Sequence, residues 1–286
     1  MPADTGHPLQ RVPAETGVAK PDPLLVVDGV RRTFGGVVAV DVDHLEVQRG
    51  ATTALIGPNG AGKTTFFNVV SGFDRPESGS WRFDGRELSR TPAYRIARAG
   101  MVRTFQLTKA LMKMRVIDNL KLAATGQRGE RFFGALAPAL WRRQEAQIQR
   151  RAEQLLDRFQ LAHMRDQYAA TLSGGQRKLL EMARALMVDP SLIMLDEPMA
   201  GVNPALTQSL LAHVVRLRDD GMTVVFVEHD MDVVMEISDW VVCMAEGRII
   251  AEGPPRSIGR NPAVIDAYLG GHHGEKAGQA TGKNGA

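Results

Sequence analysis

One cysteine in 286 residues, Cys243, leaves no material for an internal disulfide framework and fits a reducing compartment. It lies in the apolar run WVVCMAEG, which reads as a buried strand and not as a reactive thiol. Apolar runs are short everywhere. A membrane helix needs roughly 18–20 apolar residues, and the best candidates, MTVVFV and SLIML, are strand-sized. Charge of one sign is also scarce: 35 Lys and Arg face 32 Asp and Glu, a formal net charge of +3. That is no stripe for nucleic acid, although it suits a surface near acidic lipid. The first 23 residues hold prolines and both charge signs but no hydrophobic segment, which excludes a secretory signal and reads as a flexible extension, 1–23. The tail, 271–286, is Gly-rich and polar, too poor in apolar residues to fold, and His272 and His273 within it read as solvated.

What is present is a core. Hydrophobic residues make up 44% and charged residues 23%, the balance of a globular protein with one large domain or one domain carrying an insertion. The pattern is mixed α/β. LLVVDGV from Leu24, DHLEVQRG up to Gly50 and the alternating SGSWRFDG are short strands separated by turns, which predicts an antiparallel β subdomain near the N-terminus. The continuous apolar runs Thr52–Ile56, Ser191–Leu195 and Thr223–Val227 suit parallel strands buried on both faces. Helical spacing joins Ile148, Ala152, Leu155, Leu156 and Phe159, and again Leu206, Leu210, Val214 and Leu217. From about Leu107 to Leu172 the chain carries helix signals and no strand signal, as a helical insertion into the α/β core would; the helical subdomain is expected over about 107–185.

GPNGAGKTT fills every position of the P-loop pattern G-x-x-x-x-G-K-[ST] with Gly57, Gly62, Lys63 and Thr64, between a strand and a helix. Glycines let backbone N–H groups turn inward, and the helix N-terminus adds a field that favours phosphate. Lys63 is expected on the β- and γ-phosphates and the Thr64 hydroxyl on Mg²⁺. In LIMLDEP, Asp196 emerges from an apolar strand where a carboxylate can hold hydrated Mg²⁺. Glu197 follows at once. Successive strand residues face opposite ways, so the second acid is free to orient and deprotonate the attacking water. A second Gly-rich turn, Ser173-Gly174-Gly175-Gln176, lacks a lysine and a metal-binding hydroxyl. It caps a helix, and such an N-terminus can still donate to a γ-phosphate.

From Leu24 to Gly270 these motifs, in this order, resemble the ATP-binding cassette (ABC) family. GPNGAGKTT resembles the Walker A loop, which assigns Gly57, Pro58, Asn59, Gly60, Ala61, Gly62, Lys63, Thr64 and Thr65 to the nucleotide, and LIMLDEP resembles Walker B. LSGGQ is the family signature. Gln106 in VRTFQ is similar to the Q-loop glutamine, a ligand of Mg²⁺ or of the attacking water, and His229 in VEHD to the switch histidine. Phe34 in RTFGG takes the position of the adenine-stacking aromatic. The resemblance implies a P-loop NTPase fold, α/β with a mainly parallel sheet, an N-terminal antiparallel β subdomain and an inserted helical subdomain. It also implies cofactors ATP and Mg²⁺, and a head-to-tail pair in which Ser173, Gly174, Gly175 and Gln176 of one cassette close over the nucleotide of another. One departure is Asn203 in AGVNP, where many cassettes carry aspartate.

The chain has one Walker A and one signature, hence half of an ATPase pair, and no membrane span of its own. The stretches FGGVVAV, GMVRTFQ, DEPMAGVNP, EHDMDVVMEISD and NPAVIDAYLG resemble the ATPase subunits of high-affinity importers for branched-chain and related amino acids. That implies integral membrane permease subunits, an external substrate-binding protein, a second cassette in a homo- or heterodimer, and a place on the cytoplasmic face of the membrane. Two alternatives stand beside it. A lipopolysaccharide-export ATPase shares the AGV-P loop and a Tyr-Leu-Gly ending, and a soluble cassette acts without a transporter. The groove for the permease is expected along Leu107, Leu111, Met112, Met114 and Ile117.

Overall fold

The computed structural model describes residues 8–104, 112–124 and 138–269. Gln106, Leu107, Leu111, most of the stretch 125–147 and the tail 271–286 lie outside the described residues. The chain divides into two compact units, residues 1–93 with 215–286 and residues 94–214.

In the first unit, β1 (Pro23–Phe34) and β2 (Val37–Gln48) form a long antiparallel pair joined at Gly35–Gly36. The other edge of β1 takes β4 (Ser78–Phe83), followed by the short β5 (Arg86–Glu87). Val27 pairs with Trp81 and Val30 with Val42, and all four are buried, as are Val40 and Phe83, so β-branched and aromatic cross-strand pairs fill the core of this subdomain. A second sheet in this unit has the order β10-β9-β3-β8. Here β3 (Thr52–Ile56) runs parallel to β8 (Thr223–Val227) and β9 (Trp240–Ala245), and β10 (Arg248–Gly253) returns antiparallel to β9. Every residue of β3 and β8 is buried, as the unbroken apolar runs require. Because β3 and β8 are parallel neighbours, the turns that follow them, at Gly57 and at His229, emerge at the same, C-terminal end of these strands.

The expectation of a flexible extension over 1–23 is corrected for the described part of it. Pro8–Arg11 is a 3-10 turn with Leu9 buried. Further on, the Lys20 ammonium, 1% exposed, meets the Glu252 carboxylate of β10, 0% exposed, at 2.8 Å and lies 4.4 Å over the Trp240 ring. The same carboxylate accepts from the Gly17 amide and from Trp240 Nε1. Composition placed this segment in solvent; a buried ion pair spanning most of the chain holds it against the sheet.

In the second unit, α2 (Ala93–Arg98) leads to β6 (Met101–Arg103), which pairs in parallel with β7 (Leu192–Asp196). Three helices pack on one another: α3 (Val116–Ala123), α4 (Pro138–Arg158) and α5 (Gly174–Leu186). Their cores are Val116 and Leu120, then Ala152, Leu155 and Leu156, then Leu179, Leu180 and Ala183, each set at helical spacing. Two further helices are α6 (Pro204–Asp219) and, in the first unit, α7 (Met231–Ile237). Among the described residues no helix is long and apolar enough to cross a membrane.

Candidate nucleotide site

The P-loop follows β3 and opens α1 (Lys63–Val70). Gly57 has φ +146°, and a Cβ there would lie 2.0 Å from the Met244 carbonyl oxygen; at Gly62, φ +99°, it would lie 2.1 Å from the Ala39 carbonyl oxygen. Only glycine fits either place, because the loop is pressed against the backbone of β9 at Gly57 and of β2 at Gly62. Lys63 is almost fully buried, and its ammonium donates to the carbonyls of Gly57 at 2.6 Å and Pro58 at 2.9 Å. A buried cation held by two backbone carbonyls of a glycine loop is a fit for phosphate oxygens, which are stronger acceptors. Thr64 lies on the first turn of α1. Phe34, at the end of β1, is 48% exposed, with the Arg32 guanidinium 4.5 Å over its ring. His229 is exposed just past β8, and its backbone N–H donates to the carboxylate of buried Glu228.

The two acids stand in the second unit. Asp196 is the last residue of β7, and its carboxylate accepts from Arg103 of β6 at 2.6 Å. Glu197 departs from the expected geometry in an informative way. Its φ is +47°, so the chain turns off the strand at this residue through a left-handed backbone, and the pleat of β7 does not set the direction of its side chain. Such a conformation in a non-glycine residue costs of order 1 kcal/mol and collects at functional sites. The Lys178 ammonium of α5 donates to the Glu197 carbonyl at 3.0 Å, which holds the turn.

The signature occupies the N-terminus of α5. Ser173 Oγ accepts from the Gln176 N–H, and Gln176 Oε1 accepts from the Ser173 N–H at 2.9 Å, a reciprocal cap. Ser173 and Gly174 are exposed, and a Cβ on Gly174 would meet open space. Gly175 is different: it is buried, and its Cβ would fall 1.6 Å from Leu206 Cδ2 of α6. The two glycines, read alike as bare amides from sequence, have separate tasks. Asn203 Oδ1 accepts from the Leu206 N–H at 2.9 Å, so the departure from aspartate keeps a side-chain cap at the start of α6.

The structure brings Gly57–Thr65, Phe34 and His229 into one unit and Asp196, Glu197 and Ser173–Gln176 into the other; Gln106 lies outside the described residues. Sequence reasoning missed Arg103, Lys178 and Tyr268, whose hydroxyl accepts from the Gly57 N–H at 2.9 Å. The second unit also holds a cavity of about 370 Å³ lined by Tyr94, Arg98, Arg103, Glu181, Arg184 and Val188. Burial holds the Arg184 guanidinium below its ordinary pKa.

Residues 40–200 match the family profile described as ABC transporter. The chain belongs to the ABC transporter family. A second profile, described as branched-chain amino acid ATP-binding cassette transporter, matches residues 248–274 of this ABC ATPase. It is 42% identical over 252 residues to a probable branched-chain amino acid transport ATP-binding protein, LivG, of Archaeoglobus fulgidus, covering 88% of this chain and 97% of that one. It is 42% identical over 251 residues to the high-affinity branched-chain amino acid transport ATP-binding protein BraF of Pseudomonas aeruginosa, with 87% and 98% covered. The crystal structure of the ADP conformation of an ATP-binding cassette of an ABC transporter is 35% identical to it, with a TM-score of 0.76 over 87% of this chain and 99% of that one. The fold of the ABC ATPase is thus the expected one, a P-loop core with a parallel-rich sheet, an antiparallel β subdomain and an inserted helical subdomain.

Proposed function

We propose that this ABC ATPase powers import of branched-chain or related amino acids, hydrolysing ATP at a site shared with a second cassette. The observation that carries the shared site is the signature. Ser173 and Gly174 are exposed and capped at the mouth of α5, yet the segment has neither lysine nor metal ligand, so it completes a phosphate site without making one. The match of residues 248–274 and the names of the relatives support the amino-acid substrate class.

In this reading Gly57, Pro58, Asn59, Gly60, Ala61, Gly62, Lys63, Thr64 and Thr65 hold the phosphates, and Phe34 stacks on adenine. Thr64, Asp196 and Gln106 hold Mg²⁺, which supplies charge neutralisation on the phosphates when bound. Glu197 takes the proton of the attacking water and His229 senses the terminal phosphate. Ser173, Gly174, Gly175 and Gln176 act on the nucleotide of the partner cassette. The permease docks on the cavity at Tyr94 and Arg184, at the cytoplasmic face of the membrane, and an external binding protein delivers the substrate. Of the stripe expected from sequence, Ile117 is core and Met112 and Met114 are half-buried, their carbonyls accepting from Ala170 and Ala169, while Leu107 and Leu111 lie outside the described residues.

Purifying the assembled complex from its native membrane and reconstituting it tests this directly. ATPase activity stimulated by a leucine-loaded binding protein is the expected result; stimulation by a lipid substrate, or a complex without permease subunits, contradicts it.

A further inference from the structure

The first residue of the P-loop is held from the far end of the chain. A helix over 262–269, capped by the Asn261 side chain at Ala263 N–H and anchored by buried Val264, ends with Tyr268 directed at the loop. The Tyr268 hydroxyl accepts from the Gly57 N–H at 2.9 Å. Gly57 is thereby fixed on three sides. Its amide meets Tyr268, its α-carbon is packed on the Met244 carbonyl, and its own carbonyl accepts from the Lys63 ammonium. A buried amide demands a partner, and no strand neighbour supplies one at this point, where the chain leaves β3.

We propose that Tyr268 is a positioning residue for nucleotide binding: it fixes the Gly57 peptide so that the loop keeps its opening when phosphate draws the Lys63 ammonium away from the Gly57 and Pro58 carbonyls. The C-terminal helix and the nucleotide then influence each other, since any coupling between two sites is reciprocal. This rests on the assignment of Gly57–Thr65 as the phosphate cradle. It also gives a physical task to the matched segment 248–274, which contains Tyr268.

The test uses the full chain, and its first arm reads the parent protein. The protein has three tyrosines, and Tyr94 and Tyr168 are more than half exposed. With ¹³Cζ-labelled tyrosine, the Tyr268 resonance, assigned as the one that survives in both Tyr94→Phe and Tyr168→Phe, is expected to shift on saturation of the parent chain with MgADP while those of Tyr94 and Tyr168 stay in place. In the second arm, Tyr268→Phe keeps the ring and removes the acceptor. Its affinity for MgADP is expected to fall about three- to tenfold, the effect of one hydrogen bond, with KM for ATP raised more than kcat is lowered. A Tyr268 resonance that ignores MgADP overturns the proposal, and so does a folded Tyr268→Phe chain with the parent affinity. If the variant does not fold, the labelled parent protein decides alone. Lys63→Ala separates the two levels of the argument. Parent affinity in Lys63→Ala overturns the cradle itself, whereas lost affinity there with none lost in Tyr268→Phe overturns only the role of Tyr268.

Discussion

Arg103 donates to Asp196 at 2.6 Å, and the two side chains are only 6% and 11% exposed. The carboxylate assigned to the metal is therefore compensated by a protein cation in this structure. Removing one partner of a buried pair strands the other charge, at a cost of about 3 kcal/mol. Arg103→Gln is expected to lose that much stability in urea unfolding without ligand, and distinctly less in MgADP, where a metal cation faces Asp196. An equal loss under both conditions would place the metal away from Asp196.

The paired glycines of the signature separate packing from recognition. Gly175→Ala drives a methyl into Leu206 and is expected to destabilise the fold by about 1–3 kcal/mol. Gly174→Ala points into open space and is expected to leave the melting temperature within a degree or two of the parent. Thermal unfolding of the two variants side by side checks this, and equal losses would contradict it.

Lys20 and Glu252 fasten residues 8–22 to β10. Burial holds the lysine below its ordinary pKa, and the Glu252 carboxylate opposes that shift. Glu252→Ala leaves the Lys20 ammonium buried without its counter-ion and is expected to cost about 3–5 kcal/mol. The N-terminal segment should then be clipped near Arg11 in limited proteolysis under conditions where the parent chain is resistant. Unaltered protection with unaltered stability would show that the segment is held by other contacts.

Burial pushes the Cys243 thiol up to about 11. An ordinary thiol ionises well below that, so between about pH 9 and 11 the unfolded chain holds fewer protons at this site than the folded one. The contribution is fully present below the unfolded value and is lost as pH rises through the folded one. Stability is therefore expected to fall by about 2 kcal/mol across that window, and Cys243→Ala should flatten the profile. Denaturant titrations at several alkaline pH values measure both curves; identical slopes in parent and variant would contradict the burial argument.

Much of this was legible because it is local. The runs Thr52–Ile56 and Thr223–Val227 are strands with the expected bounds and are wholly buried, since an unbroken apolar run has no polar face to show. The P-loop could be read from its spacing between strand and helix. Long-range polar pairs could not be read, because nothing in a charged residue's own neighbourhood names its partner. Lys20 and Glu252 are 232 residues apart, and Gly57 and Tyr268 are 211 apart. The N-terminal segment looked solvated for the same reason: its one buried cation is matched only by the fold. Glu197 was read as a strand residue, and its left-handed backbone is accompanied by the Lys178 contact from α5, which nothing in the local sequence names.

The shared site is tested most directly by mixing two inactive chains. Ser173→Arg spoils the signature and Lys63→Ala spoils the P-loop, so neither homodimer has an intact site. A mixed pair in which signatures act on the partner's nucleotide has one doubly damaged site and one intact site. Partial recovery of Mg²⁺-dependent ATP hydrolysis on mixing is the predicted result. No recovery, under conditions where mixed dimers are shown to form, would mean that each chain uses its own signature and would contradict the account.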